Sequence, residues 1–209
     1  MIKLYSRLKD FLSMGKDYYH GELFNKFNSI FSLLEKKLIT HDESIFRVKQ
    51  IFLDNQNLNF ELLKFVKKDT FKRVVLGNKL SLFSRINISI KTLKKNQYEP
   101  IHFHENVKSF QIVLNGQCVT NEFQKLKINK SVVEYKKFEP SILNDSELFF
   151  TGPNYKDIHG FGSKSEICYI LDVAKYSGIL GKSIKTFNNN RVYLDIDNDK
   201  KIDANTFQC

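Results

Sequence analysis

Apolar side chains recur every three or four positions through the first third of the chain. Leu23, Phe24, Phe27, Ile30, Phe31, Leu34 and Leu38 fall at the i, i+3, i+4, i+7 spacing of one helical stripe, read as core packing. Thr40 followed by Glu43 is a capping-box pattern for the next helix. Ile45, Phe46, Val48, Ile51 and Phe52 form the side expected to be buried, and Phe60 to Val66 predicts a short third helix.

From about residue 71 the period changes. Short β-branched and aromatic runs begin near residues 71, 82, 109, 117, 131, 147, 166 and 190, separated by turn residues. Gly77-Asn78, Asn115-Gly116, Asn144-Asp145 and Gly152-Pro153-Asn154 are the expected turns. Many short strands without strand–helix alternation predict a mainly β sandwich or barrel, not a parallel sheet. The expected division is a helical extension over residues 1–68, packed on a β domain over residues 69–209.

Composition narrows the function classes. The net charge of +10 comes mostly from scattered basic pairs such as Lys67-Lys68 and Lys136-Lys137. No basic run is interleaved with aromatics, so no nucleic-acid partner is expected. Cys118, Cys168 and Cys209 are widely spaced and form no CxxC. Neither a disulfide framework nor a thiolate zinc site is suggested, and Cys118 and Cys168 read as inert core. The N-terminus is broken by Lys3, Arg7, Lys9 and Asp10 and lacks the apolar core of a signal peptide. No stretch approaches the roughly 20 apolar residues of a membrane span. A monomer in the cytoplasm or nucleus, without a membrane partner, is the expectation.

Candidate chemistry lies in the histidines. His102 and His104 are two residues apart, and in a strand such residues point to one face. Alone, the pair reads either as a metal site or as two ordinary histidines. His159 follows the turn at Gly152 and precedes another apolar run. Two ligands from one strand and a third from a later one would grip a metal from one side and leave its other positions open. His20 and His41 lie in the helical part and are read as surface or core residues.

The stretch PIHFHENVKSFQIVLNGQ, residues 100–117, resembles the first motif of the cupins, small β-barrels. Ser109 stands where ordinary metal cupins commonly carry a fourth ligand, Glu. That absence resembles the thiol dioxygenase branch, which binds iron through three histidines. The later stretch DIHGFGSKSEICYILDVAKYSG, residues 157–178, is similar to cysteamine dioxygenase and the plant cysteine oxidases: His159 takes the third ligand position, Cys168, Leu171, Asp172 and Val173 the Cys…Leu-Asp-Val positions, and Tyr176 approximates a loop tyrosine. Where that family has His-Asp-His-Pro, this chain has His102-Phe103-His104-Glu105, and the family's Pro-Pro pair is missing. Near Arg191 and Tyr193 there is no cysteine for a cysteine–tyrosine crosslink.

The resemblance implies a cupin-type barrel that binds Fe(II) through His102, His104 and His159. The implied reaction uses O2 to convert a thiol to a sulfinic acid. The implied substrate is a thiol with a nearby amine, either cysteamine or a protein's N-terminal cysteine; the latter would make the protein an oxygen sensor. Asp172 is expected at the active site, orienting a ligand histidine, a substrate amine or a proton; the rival reading has it capping a turn or pairing with a lysine. Tyr176 would position substrate or oxygen, or serve as a loop aromatic. Phe103, Val107 and Phe110 are expected around the iron. Free-cysteine dioxygenation and a non-enzymatic, ligand-binding cupin remain the alternatives.

Overall fold

A computed structural model describes residues 18–66, 74–80, 84–104, 106–128, 133–153, 155–177, 191–195 and 200–202. The helical stripe forms α1 (Tyr18–Glu35), followed by α2 (His41–Leu53) and a short α3 (Leu58–Leu63). Thr40 caps α2, its hydroxyl oxygen accepting the Glu43 amide at 3.1 Å. The Glu43 carboxylate turns forward to Arg47, at 2.6 Å, so the box is used in its backbone half. Leu38 and Phe46, expected in the core, are 65% and 64% exposed. Leu38 lies past the end of α1, and Phe46 falls outside the buried stripe of Ser44, Val48, Ile51 and Phe52.

Twelve strands follow among the described residues: β1 (Val74–Leu80), β2 (Ser84–Lys94), β3 (Tyr98–His104), β4 (Val107–Asn115), β5 (Cys118–Ile128), β6 (Val133–Lys137), β7 (Ser141–Leu143), β8 (Leu148–Thr151), β9 (Ile158–Ser163), β10 (Ile167–Ser177), β11 (Arg191–Asp195) and β12 (Lys200–Ile202). One sheet has the order β1-β2-β10-β4-β8; the other runs β12-β11-β3-β9-β5-β6, with β7 also on β5. Every strand pairing in both sheets is antiparallel. The result is the mainly β, cupin-type (double-stranded β-helix) barrel with N-terminal helices expected from the sequence. The expected division near residue 68 lies outside the described residues.

The helices cover the outer face of the first sheet. Phe27, Phe31, Val48 and Phe52 pack with Ile86, Ile88, Ile90, Phe110, Ile112, Leu171 and Val173 in one buried cluster. Phe110 meets Phe31 at 5.2 Å and Phe27 at 6.3 Å between ring centroids. It therefore faces the helices and not the barrel interior, because its strand alternates and its neighbours Ser109 and Gln111 take the inner side. The Glu35 carboxylate at the end of α1 accepts Lys175 of β10 at 2.7 Å, pinning helix to sheet.

Two turn expectations resolve differently. Asn115-Gly116 does turn the chain from β4 to β5, with Gly116 at φ +96°, a backbone region that favours glycine. Gly77-Asn78 does not turn. β1 continues through it with a register shift between Val75 and Gly77, so this glycine marks a bulge.

Inside the barrel, one end is plugged by Leu93, Val113, Cys118, Phe149, Phe161, Cys168 and Ile170, drawn from both sheets. The hydrogen bond with Cys168, reinforced by burial, pushes the Cys118 thiol far above its ordinary range. Beyond this plug the interior becomes polar.

Candidate metal centre

β3 and β9 are neighbours, and His102 stands directly opposite His159. His104, two residues along β3, shares their face. Ring centroids lie 4.8 Å apart for His102–His104, 4.6 Å for His102–His159 and 5.8 Å for His104–His159. One ring nitrogen from each lies within 4.8 Å of the others, and His102 and His159 are buried. The three sequence-separated histidines thus converge.

The local backbone explains the aim of His102. Pro100 sits inside β3, where the β3–β9 register shifts between Glu99 and His102. Proline, which donates no ladder hydrogen bond, is tolerated at such an irregularity. The carbonyl oxygen of Pro100 accepts the Nδ1 hydrogen of His102 at 2.7 Å. Nδ1 is thereby the protonated nitrogen and Nε2 carries the lone pair, the form that ligates a metal. That Nε2 lies 3.1 Å from Nε2 of His104. Metal–imidazole bonds of about 2.1 Å at right angles place neighbouring nitrogens ~3 Å apart, so the His102–His104 pair is spaced for a metal ion and His159 stands close enough to join it. On β9, a Cβ built on Gly162 would run into the Tyr98 ring, so only glycine lets Tyr98 of β3 lie over this strand.

Behind the histidines, on the outer face of their sheet, Phe103 packs with Phe123 and Ile158. It supports the site from behind and does not line it. Val107 is buried on the Ser109 side of β4, hence inward.

Across the interior stands a hydrogen-bonded chain. Ser109, 3% exposed, meets Thr151 Oγ1 at 2.9 Å and accepts Gln111 Nε2 at 2.7 Å. Gln111 Nε2 also donates to Asp172 Oδ1 at 3.3 Å. Asp172 Oδ2 pairs with Lys91 Nζ at 3.2 Å, and Lys91 reaches Glu99 of the opposite sheet at 3.1 Å. Lys91 Nζ lies over the Phe161 ring at 4.6 Å. Phe149, in register with Gln111, lies 6.4 Å from the His159 ring.

Ser109 is thus occupied by its own partners. Of the two readings of Asp172, the lysine pairing is present in the structure. Tyr176 lies within β10 and not in a loop, half-buried on the same side of the strand as Asp172.

Sequence reasoning passed over Lys91, Glu99, Gln111 and Glu122. Glu122 is directly opposite His159 on β5 and is buried. It accepts Thr120 Oγ1 at 3.0 Å and pairs with Lys156.

No protein-family model matches the chain, and no curated protein matches it. Solved structures similar to it include a Klebsiella pneumoniae protein with a double-stranded β-helix domain, at 13% identity over 57% of this chain and 90% of that one, TM-score 0.36. A cupin-2 domain protein from Shewanella frigidimarina is 14% identical over 59% and 95% of the two chains, TM-score 0.35. A hydroquinone 1,2-dioxygenase, solved with Cd2+ and 4-hydroxybenzonitrile, is 19% identical over 57% and 71%, TM-score 0.37. Fold and site define a cupin-type β-barrel whose interior carries a three-histidine group suited to a metal ion. Among the described residues no helix is long and apolar enough to cross a membrane.

Proposed function

We propose that the protein is a non-haem Fe(II) thiol dioxygenase acting on a thiol that carries a nearby amine, either cysteamine or a protein's N-terminal cysteine. The observation that carries this reading is a group of three histidines with Ser109 where a fourth, carboxylate ligand would be expected. His102, His104 and His159 would hold the iron. Bound there, Fe(II) would supply the redox chemistry by which O2 and a thiol give a sulfinic acid.

The chain's own residues set the conditions. Three neutral imidazoles cancel none of the metal's charge, which favours a deprotonated thiol. The Pro100 carbonyl fixes the His102 ring in its ligating form. Asp172 and Tyr176 share the inner side of β10, with Asp172 held by Lys91 and Gln111. Lys91 lies between Glu99 and Asp172, so it is poorly placed to receive the carboxylate of free cysteine.

The test is oxygen uptake by the iron-loaded protein with cysteamine, free cysteine and an N-terminal-cysteine peptide. The product should gain two oxygen atoms by mass on the peptide or on cysteamine. No turnover of any of the three overturns the proposal.

A further inference from the structure

Asn87 is fully buried on β2, yet neither its Oδ1 nor its Nδ2 has a hydrogen-bond partner among the described residues. Leaving both ends of a buried amide unmade is costly, and such groups call for an explanation. Strand alternation places Asn87 on the same side of β2 as Lys91, which reaches the opposite sheet, while Ile86, Ile88 and Ile90 face the helices. Asn87 therefore points into the barrel.

Its level in the barrel follows from the register. Asn87 stands opposite Ala174 on β10, Ala174 opposite Ser109 on β4, and Ser109 opposite Thr151 on β8. This row lies one step from the Gln111–Phe149 level that meets His159, on the side away from the apolar plug. Between Asn87 and Ser109 the row carries only the methyl group of Ala174, itself buried. On the other side of β10, the Gln111 carbonyl oxygen is also buried without a partner among the described residues. The Asp172 carboxylate, which takes the Gln111 NH2, fixes which end is which.

We propose that Asn87 is a ligand-recognition residue that binds an amide group, a carboxamide or a peptide unit, of a molecule held before the histidines. Its side chain offers one acceptor and two donors. A carboxylate brings acceptors alone and would face the Asn87 carbonyl; an ammonium brings donors alone and would leave the Asn87 NH2 unmatched. An amide brings both. The choice of probes rests on the thiol-oxidising reading; the geometry of Asn87 does not.

Cysteinamide and cysteamine share thiol and amine and differ by a carboxamide. Calorimetric titration of anaerobic, Fe(II)-loaded protein should show cysteinamide binding at least tenfold more tightly. Asn87→Ala should erase that preference and leave cysteamine binding unchanged. The metal-free Asn87→Ala protein should melt no lower than wild type, since it removes two unmatched polar atoms. Equal affinities in the wild type, no binding of cysteinamide, an unchanged preference in Asn87→Ala, or a lowered melting temperature overturns the inference. A preference without oxygen uptake on any thiol sinks the dioxygenase reading and leaves this one standing. Oxygen uptake with equal affinities does the reverse.

Discussion

The imidazole of His102 donates its Nδ1 hydrogen to the carbonyl of Pro100, two residues earlier, at 2.7 Å. A backbone group thus chooses the tautomer of a side chain that faces His104 and His159. If the three histidines are a metal centre, His159→Ala should abolish stoichiometric metal in purified protein, measured by elemental analysis. Pro100→Gly, which loosens the carbonyl's position without removing it, should weaken metal affinity by about tenfold, the low end of what such orienting partners contribute. Full metal content in His159→Ala would refute the site.

Lys91 holds Glu99 and Asp172 together inside the barrel. Removing one partner of a buried pair leaves charge uncompensated, whereas removing all of the charge can be nearly neutral. Lys91→Met should therefore destabilise the fold by about 3–5 kcal/mol in urea unfolding. Adding Glu99→Gln and Asp172→Asn to it should recover most of that loss. A triple variant as unstable as Lys91→Met would show that packing of the lysine stem, and not charge, sets the cost.

Ser109→Glu tests the missing carboxylate directly. The position faces inward, and its hydroxyl meets Thr151 and Gln111. If the proposed function holds, a glutamate there should keep metal bound and abolish oxygen uptake, because it would fill a coordination position and cancel metal charge. Ser109→Ala should keep turnover and lower stability by about 1–3 kcal/mol, the cost of leaving buried partners unmatched. Undiminished turnover in Ser109→Glu would show that the vacancy is irrelevant.

The histidine pair was legible because a period of two puts i and i+2 on one face wherever the strand lies. Convergence with His159 depends on β3 and β9 being neighbours, which no local pattern states. The polar interior was hidden for a related reason. Ile86-Asn87-Ile88-Ser89-Ile90-Lys91 alternates cleanly, and such a strand ordinarily sends its polar side to water. Here the helices cover the apolar side, so Asn87, Ser89 and Lys91 turn into the barrel. Phe110 went to the helices by the same inversion.

His41 offers a pH-dependent test of how the helices sit on the sheet. Its ring stacks on Phe150 at 5.3 Å and meets Tyr155, tilted, at 4.3 Å between centroids, at the start of α2. Burial lowers its pKa from the ordinary 6.5; Asp42 opposes the shift and Lys108 reinforces it. The unfolded chain therefore takes up a proton before the folded one does. The stability that depends on a neutral His41 is complete above about pH 6.5 and is lost as pH falls through the lowered value. Other groups also respond to acid, so the comparison must be differential. His41→Phe keeps an aromatic ring between Tyr155 and Phe150 and removes the titration. Between pH 7.5 and pH 5, urea unfolding should show wild type losing more stability than His41→Phe. Equal losses in the two proteins would mean that the ring already sits in water-like surroundings and that the contact with β8 does not depend on its charge.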